Sequence, residues 1–166
     1  VAPANILYQV FEGNWQELPD FGTMTPKNSD KSAGFDLTVA GKTNNFGVRF
    51  IGYLHIAKAG QYKFHLGSDD GSWLLVDGKK VVNVDGIHPH STKDGTVELT
   101  AGVHEVIVDY FQGGGEWTIS AEYEGPDLKR RSLAADLTPT QEKIVVKADG
   151  DQFILDQKLV AEGRQI

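Results

Sequence analysis

The sequence contains no cysteine. Disulfide bonds, thiolate catalysis, iron–sulfur clusters and covalent haem attachment are therefore excluded within these residues. No stretch approaches the roughly 20 apolar residues that a membrane-spanning helix needs, so membrane insertion is not expected. The opening sequence VAPANILYQV is not a signal peptide, although it is compatible with what is left after one is removed.

Positive charge is also in short supply. Lysine and arginine together number 16 against 23 aspartates and glutamates, which gives a formal net charge of −7 and a pI near 5.1. Such a field repels nucleic acid and anionic lipid, and it is compatible with cations and neutral polymers. Nucleic acid is therefore excluded as a partner.

Helical periodicity is absent before residue 127, and alternation with a period of two takes its place. Tyr62, Phe64 and Leu66 alternate with polar residues, as in a half-buried antiparallel strand. Asp77-Gly78 joins two apolar runs and is a strong hairpin signal. With 19 glycines in 166 residues and short strands at regular spacing, the sequence predicts a single all-β domain, an antiparallel β-sandwich.

The pattern changes from Leu128 onward, where a basic cluster and a Thr-Pro-Thr break precede a short apolar run. We therefore predict a sandwich over 1–126, a linker over 127–140 and a C-terminal extension over 141–166. The extension is expected to end in a helix capped by Asp156. Because the pattern stops abruptly, the extension is interpreted as the truncated start of a following domain.

Two adjacent aspartates, Asp69 and Asp70, follow a predicted strand and precede a glycine. Successive side chains of a strand point to opposite faces, so both carboxylates can face one ion only if the backbone leaves extended geometry, for example through a cis peptide. Ca²⁺ takes six to eight oxygen ligands, and two carboxylates would supply strong ones. Ordinary turn chemistry explains the same residues equally well.

A second irregular stretch, YFQGGGEWT, offers further oxygen donors. Gln112 and Glu116 flank three glycines whose carbonyls are free to turn toward a ligand. A mobile hairpin loop is the alternative. Trp73 and Trp117 either stack on a flat ligand face or fill the core. Nothing in the sequence singles out a pair of carboxylates suited to catalysis.

The runs FEGNWQELPDF, YKFHLGSDDGSWLLVDGKKVVNVDGIH and AGVHEVIVDYFQGGGEW together resemble the PA-fourteen (PA14) domain. This family of β-sandwiches occurs in bacterial glycosidases, toxins and adhesins and in yeast flocculins. The resemblance covers about residues 5 to 126.

The resemblance implies a specific site. In sugar-binding members of the family, two consecutive aspartates joined by a cis peptide hold a Ca²⁺ that coordinates vicinal hydroxyls of a sugar. The matching residues here are Asp69 and Asp70, and the loop ligands fall near Gln112, Gly114 and Glu116. Several adhesins have asparagine at the position of Gln112, so the register of that ligand is open. Trp73 or Trp117 is expected to cover the apolar face of the sugar ring.

Two functional interpretations follow. The first is a non-catalytic, Ca²⁺-dependent module that binds a glycan or polysaccharide for a larger exported bacterial protein, in a secreted, periplasmic or cell-surface location. The second is a structural spacer or protein-interaction domain with a structural ion or none. The tail LDQKLVAEGRQI is similar to the first helix of c-type cytochrome domains, which would make another domain of the parent chain a partner. No haem ligand set lies within this fragment.

Overall fold

The computed structural model describes residues 4–141 and, beyond them, the backbone of two short strands. The strands are β1 (Ile6–Glu12), β2 (Asn28–Ser32), β3 (Phe46–Ile56), β4 (Gly60–Asp69), β5 (Ser72–Val76), β6 (Lys79–Val84), β7 (Ser91–Leu99), β8 (Gly102–Gln112), β9 (Thr118–Gly125), β10 (Leu128–Ser132), β11 (Leu137–Thr138), β12 (Ile144–Val146) and β13 (Phe153–Leu155). Helical structure in the described part is limited to short 3₁₀ turns at Phe21–Thr23, Leu37–Ala40 and Ala134–Asp136. None of these described helices is long or apolar enough to cross a membrane.

Two antiparallel sheets form the β-sandwich that the sequence predicts. The first has the order β2-β1-β3-β8-β5-β6, and β11 also pairs with β3. The second has the order β10-β9-β4-β7. Strands β12 and β13 pair antiparallel with each other.

Alternation along the central strands determines which side chains enter the core between the sheets. Tyr62, Phe64 and Leu66 of β4 are at most 3% exposed, as their spacing predicts. Every second residue of β3 and β8 is buried in the same way. The inward face of each strand is therefore buried, which is the main source of stability in a sandwich of this kind, and the last four residues of β8 are buried on both faces.

The turn between β5 and β6 confirms the predicted hairpin. Asp77 has a φ of 52° and Gly78 a φ of 83°. Positive φ at both central residues matches the right-handed twist of the flanking strands, and Asp-Gly is a preferred sequence for such a turn.

The sandwich continues past the domain boundary that the sequence suggests at residue 126. Within the segment expected to be a linker, β10 pairs with β9 and β11 pairs with β3. Leu133 is fully buried and Leu137 is 3% exposed, so these two leucines anchor the segment in the core. The helix expected after Asp156 lies outside the described residues.

The first and last strands of the sandwich share one edge of β3. Leu7 of β1 lies opposite Ile51, and Thr138 of β11 lies opposite Tyr53. The Asn5 amide nitrogen donates to the carbonyl oxygens of Ala134 at 2.6 Å and Leu137 at 3.2 Å. One side chain therefore fastens the start of β1 to the segment that leads into β11.

The outer face of the first sheet carries a second, smaller hydrophobic cluster. Its buried members are Phe11, Leu18, Phe21 and Phe111. Beside it, the fully buried carboxylate of Asp109 accepts hydrogen bonds from Arg49 Nε at 2.8 Å and Nη2 at 3.0 Å. Trp73 Nε1 donates to the same carboxylate at 2.8 Å. The ion pair thus combines a fully buried carboxylate with a largely buried guanidinium.

Substituting Gly95 with alanine is expected to lower the free energy of unfolding by about 1–3 kcal/mol, the usual range for overpacking. A Cβ at Gly95 would lie 2.0 Å from the carbonyl oxygen of Val81, which is backbone and cannot rotate away. Urea unfolding measures the change. A Cβ at Gly114 would meet no atom within 4 Å, so Gly114→Ala is the matched control. Equal stability of the two variants would contradict the prediction.

Candidate functional site

The two aspartates end β4 and begin the turn into β5. We call Asp69–Gly71 the DDG turn. The peptide bond between Asp69 and Asp70 is cis. Burial raises the pKa of the Asp69 carboxyl, and the neighbouring charge of Asp70 raises it further.

Hydroxyl groups hold the main chain of the DDG turn. Ser68 Oγ donates to the carbonyl oxygen of Asp70 at 2.8 Å and lies 2.6 Å from Ser72 Oγ. The Tyr110 hydroxyl donates to the carbonyl oxygen of Asp69. Both serines and the tyrosine are fully buried, so the turn rests on a closed polar network beneath it.

A hydrogen bond links the DDG turn to a loop between β8 and β9, which we call the glycine loop (Gly113–Glu116). The N–H of Gly113 donates to Asp70 Oδ2 at 2.8 Å. Asp70 is 4% exposed, whereas Gly114 and Glu116 are exposed. The two irregular stretches that the sequence analysis singled out therefore meet at one end of the sandwich.

Gln112 lies under the glycine loop and is 1% exposed. Its amide nitrogen donates to the carbonyl oxygens of Gly115 at 3.0 Å and Glu116 at 3.2 Å. Its amide oxygen accepts from the Tyr110 hydroxyl at 3.2 Å. These contacts place Gln112 next to the aspartates and tie the loop to β8 from the inside.

The two predicted aromatic residues lie in different surroundings. Trp117 directly follows the glycine loop, is half-buried and packs edge-on against Phe46, with ring centroids 5.7 Å apart. Trp73 belongs to the cluster on the outer face of the first sheet, and Lys80 Nζ lies 3.7 Å from its ring centroid. Trp117 is thus the tryptophan adjacent to the glycine loop. One face of the Trp73 ring is already covered by Lys80.

The electrostatics of the pair favour a cation. Burial of the Asp69 carboxyl raises its pKa, and the neighbouring charges of Asp70 and Glu116 raise it further, whereas His88 lowers it. Among the ion pairs of residues 4–141, none involves Asp69 or Asp70. His88 is therefore a nearby basic residue, but it forms no ion pair with either aspartate within residues 4–141.

Two carboxylates alone do not complete the six to eight oxygen ligands that Ca²⁺ takes. In the described part of the chain, no group of three or more histidine, aspartate or glutamate side chains is arranged to hold a metal ion. A site for Ca²⁺ would therefore depend on the two carboxylates together with carbonyl oxygens of the glycine loop, a donor set that Ca²⁺ accepts.

A third segment adjoins the DDG turn, the loop over 85–90 between β6 and β7. A Cβ at Gly71 would lie 2.7 Å from the Gly86 nitrogen, so the two backbones are in close contact. The His88 ring nitrogens lie 2.7 Å from the carbonyl oxygens of Val84 and of Pro89. In the same loop Ile87 is 60% exposed.

Sequence reasoning found the aspartates and the glycine loop but missed the residues that support them. Of these supporting residues, only Ser68 and Ser72 could have been suspected from the sequence, because they flank the DDG turn. The alternation along β8 predicts a buried Tyr110, yet it does not reveal which carbonyl its hydroxyl reaches. The role of the Gly113 N–H could not be predicted, because this donor belongs to the main chain and not to a side chain.

Solved structures of low sequence identity share the fold. The PA14 domain of the MpAFP antifreeze protein aligns with a TM-score of 0.67 at 17% identity, covering 85% of this chain and 95% of that chain. The PA14 sugar-binding domain from an RTX adhesin aligns with a TM-score of 0.67 at 16% identity, covering 84% of this chain and all of that one (100%). The epithelial adhesin 9 A domain from Candida glabrata, in complex with Galβ1-3GlcNAc, aligns with a TM-score of 0.56 at 10% identity, covering 82% and 88%.

Comparison with curated protein sequences finds no match. The family model described as the PA14 domain matches residues 13–136, about three quarters of the chain. The match includes the DDG turn, the glycine loop and the strands that carry them. The sandwich and this match agree, and the chain belongs to the PA14 domain family.

Proposed function

We propose that the domain is a non-catalytic carbohydrate-binding module in which Asp69 and Asp70 hold a Ca²⁺ that contacts sugar hydroxyls. The observation that carries this proposal is the pair of adjacent carboxylates in the DDG turn, which meets the glycine loop through the Gly113 N–H and forms no ion pair within residues 4–141. Two neighbours of the same fold, the RTX adhesin domain and the Candida adhesin domain, bind sugars, which supports the same role here.

Some residues of the site are proposed to bind the ion, and others are proposed to hold those residues in position. The carboxylates of Asp69 and Asp70 are proposed to bind the ion directly, and the exposed backbone of Gly114 to add a carbonyl oxygen. Gln112 is proposed to act as a positioning residue, because its amide nitrogen holds the carbonyls of Gly115 and Glu116. A bound Ca²⁺ would exchange water for neutral hydroxyl groups at little cost.

Trp117 is proposed to supply apolar surface beside the ion. It is half-buried at the end of the glycine loop, and its edge contact with Phe46 holds the ring in place. An aromatic ring in this position can cover the apolar face of a sugar. The contact is small, so a single site is expected to bind with a dissociation constant in the micromolar to millimolar range, on the order of −4 to −8 kcal/mol. Several copies in an exported protein would add avidity.

Glycan binding in the presence and absence of Ca²⁺ tests the proposal. The wild-type domain is expected to bind one class of glycan on an array in Ca²⁺ and to lose that binding in chelator. Asp70→Asn is expected to lose it in both conditions, because it removes one carboxylate while keeping an oxygen that can accept from Gly113 N–H. Asp94→Asn makes the same charge change at an exposed residue of β7 and is expected to behave as wild type.

Two outcomes would count against the proposal. Equal glycan binding in chelator would remove the metal from the mechanism. A domain that binds Ca²⁺ but no glycan on a broad array would favour the spacer interpretation, in which the ion only stabilises the DDG turn.

A further inference from the structure

A row of aliphatic side chains crosses the outer face of the first sheet. Ile51 of β3 lies opposite Leu7 of β1 on one side and Ile107 of β8 on the other, and Ile107 in turn lies opposite Leu75 of β5. We call these four residues the aliphatic row. They occupy four neighbouring strands and span about 14 Å at the usual strand spacing of about 4.8 Å.

The aliphatic row is not part of the interior of the sandwich. None of its four residues belongs to either hydrophobic cluster, and all four are half-buried. Neighbouring residues of the same strands point inward and are buried, such as Phe50 and Val108 at 0% exposure. The row therefore presents a continuous apolar stripe, which Arg49 and Asp109 separate from the smaller hydrophobic cluster on one side and which Glu105 borders on the other.

A shallow depression marks one end of the row. It has a volume of about 270 Å³, and its lining includes Leu7, Ile51, Gln9 and Lys31. An apolar side chain from another segment would fit against the two aliphatic residues there. Burial of such a stripe is favourable because it removes apolar surface from water.

The chain itself provides a segment that needs such a surface. Strands β12 and β13 pair in the register Ile144 with Leu155, Val145 with Ile154 and Val146 with Phe153. All six residues of the two strands are apolar in the sequence. A hairpin of two strands is at best marginally stable alone in water, so it requires a partner surface.

The aliphatic row lies within reach of this hairpin. Thr138 pairs with Tyr53, which is two residues from Ile51 on the same strand and the same face of the sheet. The six residue steps from Thr138 to Ile144 span at most about 20 Å. This length covers the distance from the edge of β3 to the middle of the row.

We propose that the β12–β13 hairpin packs on the aliphatic row and forms a partial third layer over the outer face of the first sheet. The row supplies an apolar surface four strands wide, and the hairpin supplies apolar residues on a short tether that leaves the sheet beside it. The contact would tie the C-terminal extension to the sandwich at a face that is separate from the DDG turn.

Hydrogen exchange on the full chain tests this packing. In the wild-type protein, the amides of β12 and β13 are expected to be protected, and Ile107→Lys is expected to accelerate their exchange at least tenfold. Ile87→Lys makes the same substitution at an exposed isoleucine outside the row and is expected to leave hairpin exchange unchanged. Unprotected hairpin amides in the wild type, or equal protection in Ile107→Lys, would overturn the proposal.

A disulfide trap gives a second measurement that does not depend on a destabilising substitution. The absence of cysteine in the chain makes it specific. The double variant Ile107→Cys/Ile154→Cys is expected to form an intramolecular bond under mild oxidation, and Ile87→Cys/Ile154→Cys is expected not to form one. Predominant disulfide-linked dimers from the first variant would identify a second copy as the occupant of the row and overturn the proposal.

Discussion

Replacing Asp109 with alanine is expected to lower the free energy of unfolding by about 3–5 kcal/mol, a large share of the stability of an ordinary domain. The fully buried carboxylate accepts two hydrogen bonds from Arg49 and one from Trp73. Alanine would leave the Arg49 guanidinium, whose side chain is 16% exposed, without its partner charge. Urea or guanidinium unfolding of the purified protein measures the loss.

A double variant separates the cost of the lone charge from the value of the ion pair. Arg49→Met/Asp109→Leu removes both charges and is expected to be much closer to the wild type than Asp109→Ala, because apolar replacement of a buried pair is often neutral. Asp94→Ala, at an exposed position of β7, is expected to change stability by less than about 0.5 kcal/mol. A loss below about 1 kcal/mol for Asp109→Ala would show that Arg49 finds another partner.

Replacing Asp69 with asparagine is expected to have opposite effects on stability with and without Ca²⁺. In chelator at neutral pH the variant should be more stable than the wild type, because burial and the charge of Asp70 oppose ionisation of Asp69. With free Ca²⁺ at a hundred times its dissociation constant, the wild type should gain about 2.7 kcal/mol, while the variant gains little. For a domain of this size that gain corresponds to a rise in melting temperature of roughly 5–10 °C.

The same pKa shift predicts a pH dependence in chelator. A carboxyl group whose pKa is raised in the folded state stabilises that state while it is protonated, and this contribution is lost as pH rises through the raised pKa of Asp69. The stability advantage of Asp69→Asn over the wild type should therefore vanish at low pH and grow toward neutral pH. Melting curves from pH 3 to pH 8 measure the difference.

Mg²⁺ and Asp94→Asn are the controls for this experiment. Mg²⁺ prefers a smaller octahedral shell and is expected to stabilise the wild type less than Ca²⁺ does. Asp94→Asn makes the same change in net charge away from the DDG turn, so it should retain the Ca²⁺ response of the wild type. A wild-type melting temperature that does not respond to Ca²⁺ would contradict the metal site.

The local parts of the fold could be predicted from the sequence. The burial of Tyr62, Phe64 and Leu66 follows from their spacing, and the turn at Asp77-Gly78 follows from its residue types. Strands β10 and β11 could not be predicted in this way, because charged residues surround their few apolar ones. Their positions depend on contacts across the chain, such as that between Asn5 and the Leu137 carbonyl, 132 residues apart.

The candidate site, too, could be predicted only in part. Adjacent aspartates at a strand end signal a departure from regular geometry, and that signal is visible in the sequence. The hydrogen bond from Gly113 N–H to Asp70, and the contact of the Tyr110 hydroxyl with the Asp69 carbonyl, join residues about 40 positions apart. Alternation predicts that such residues are buried, but it cannot predict which atoms meet.

The shared edge of β3 determines how the sandwich can be carried by a larger protein. Leu7 and Thr138 lie opposite residues two positions apart in the middle of β3, whereas Gln112 pairs with Phe46 at one end of that strand, roughly 20 Å away. The first and last strands of the sandwich therefore join it at neighbouring points of one edge, so a host domain attached on this side would leave the DDG turn exposed to ligands.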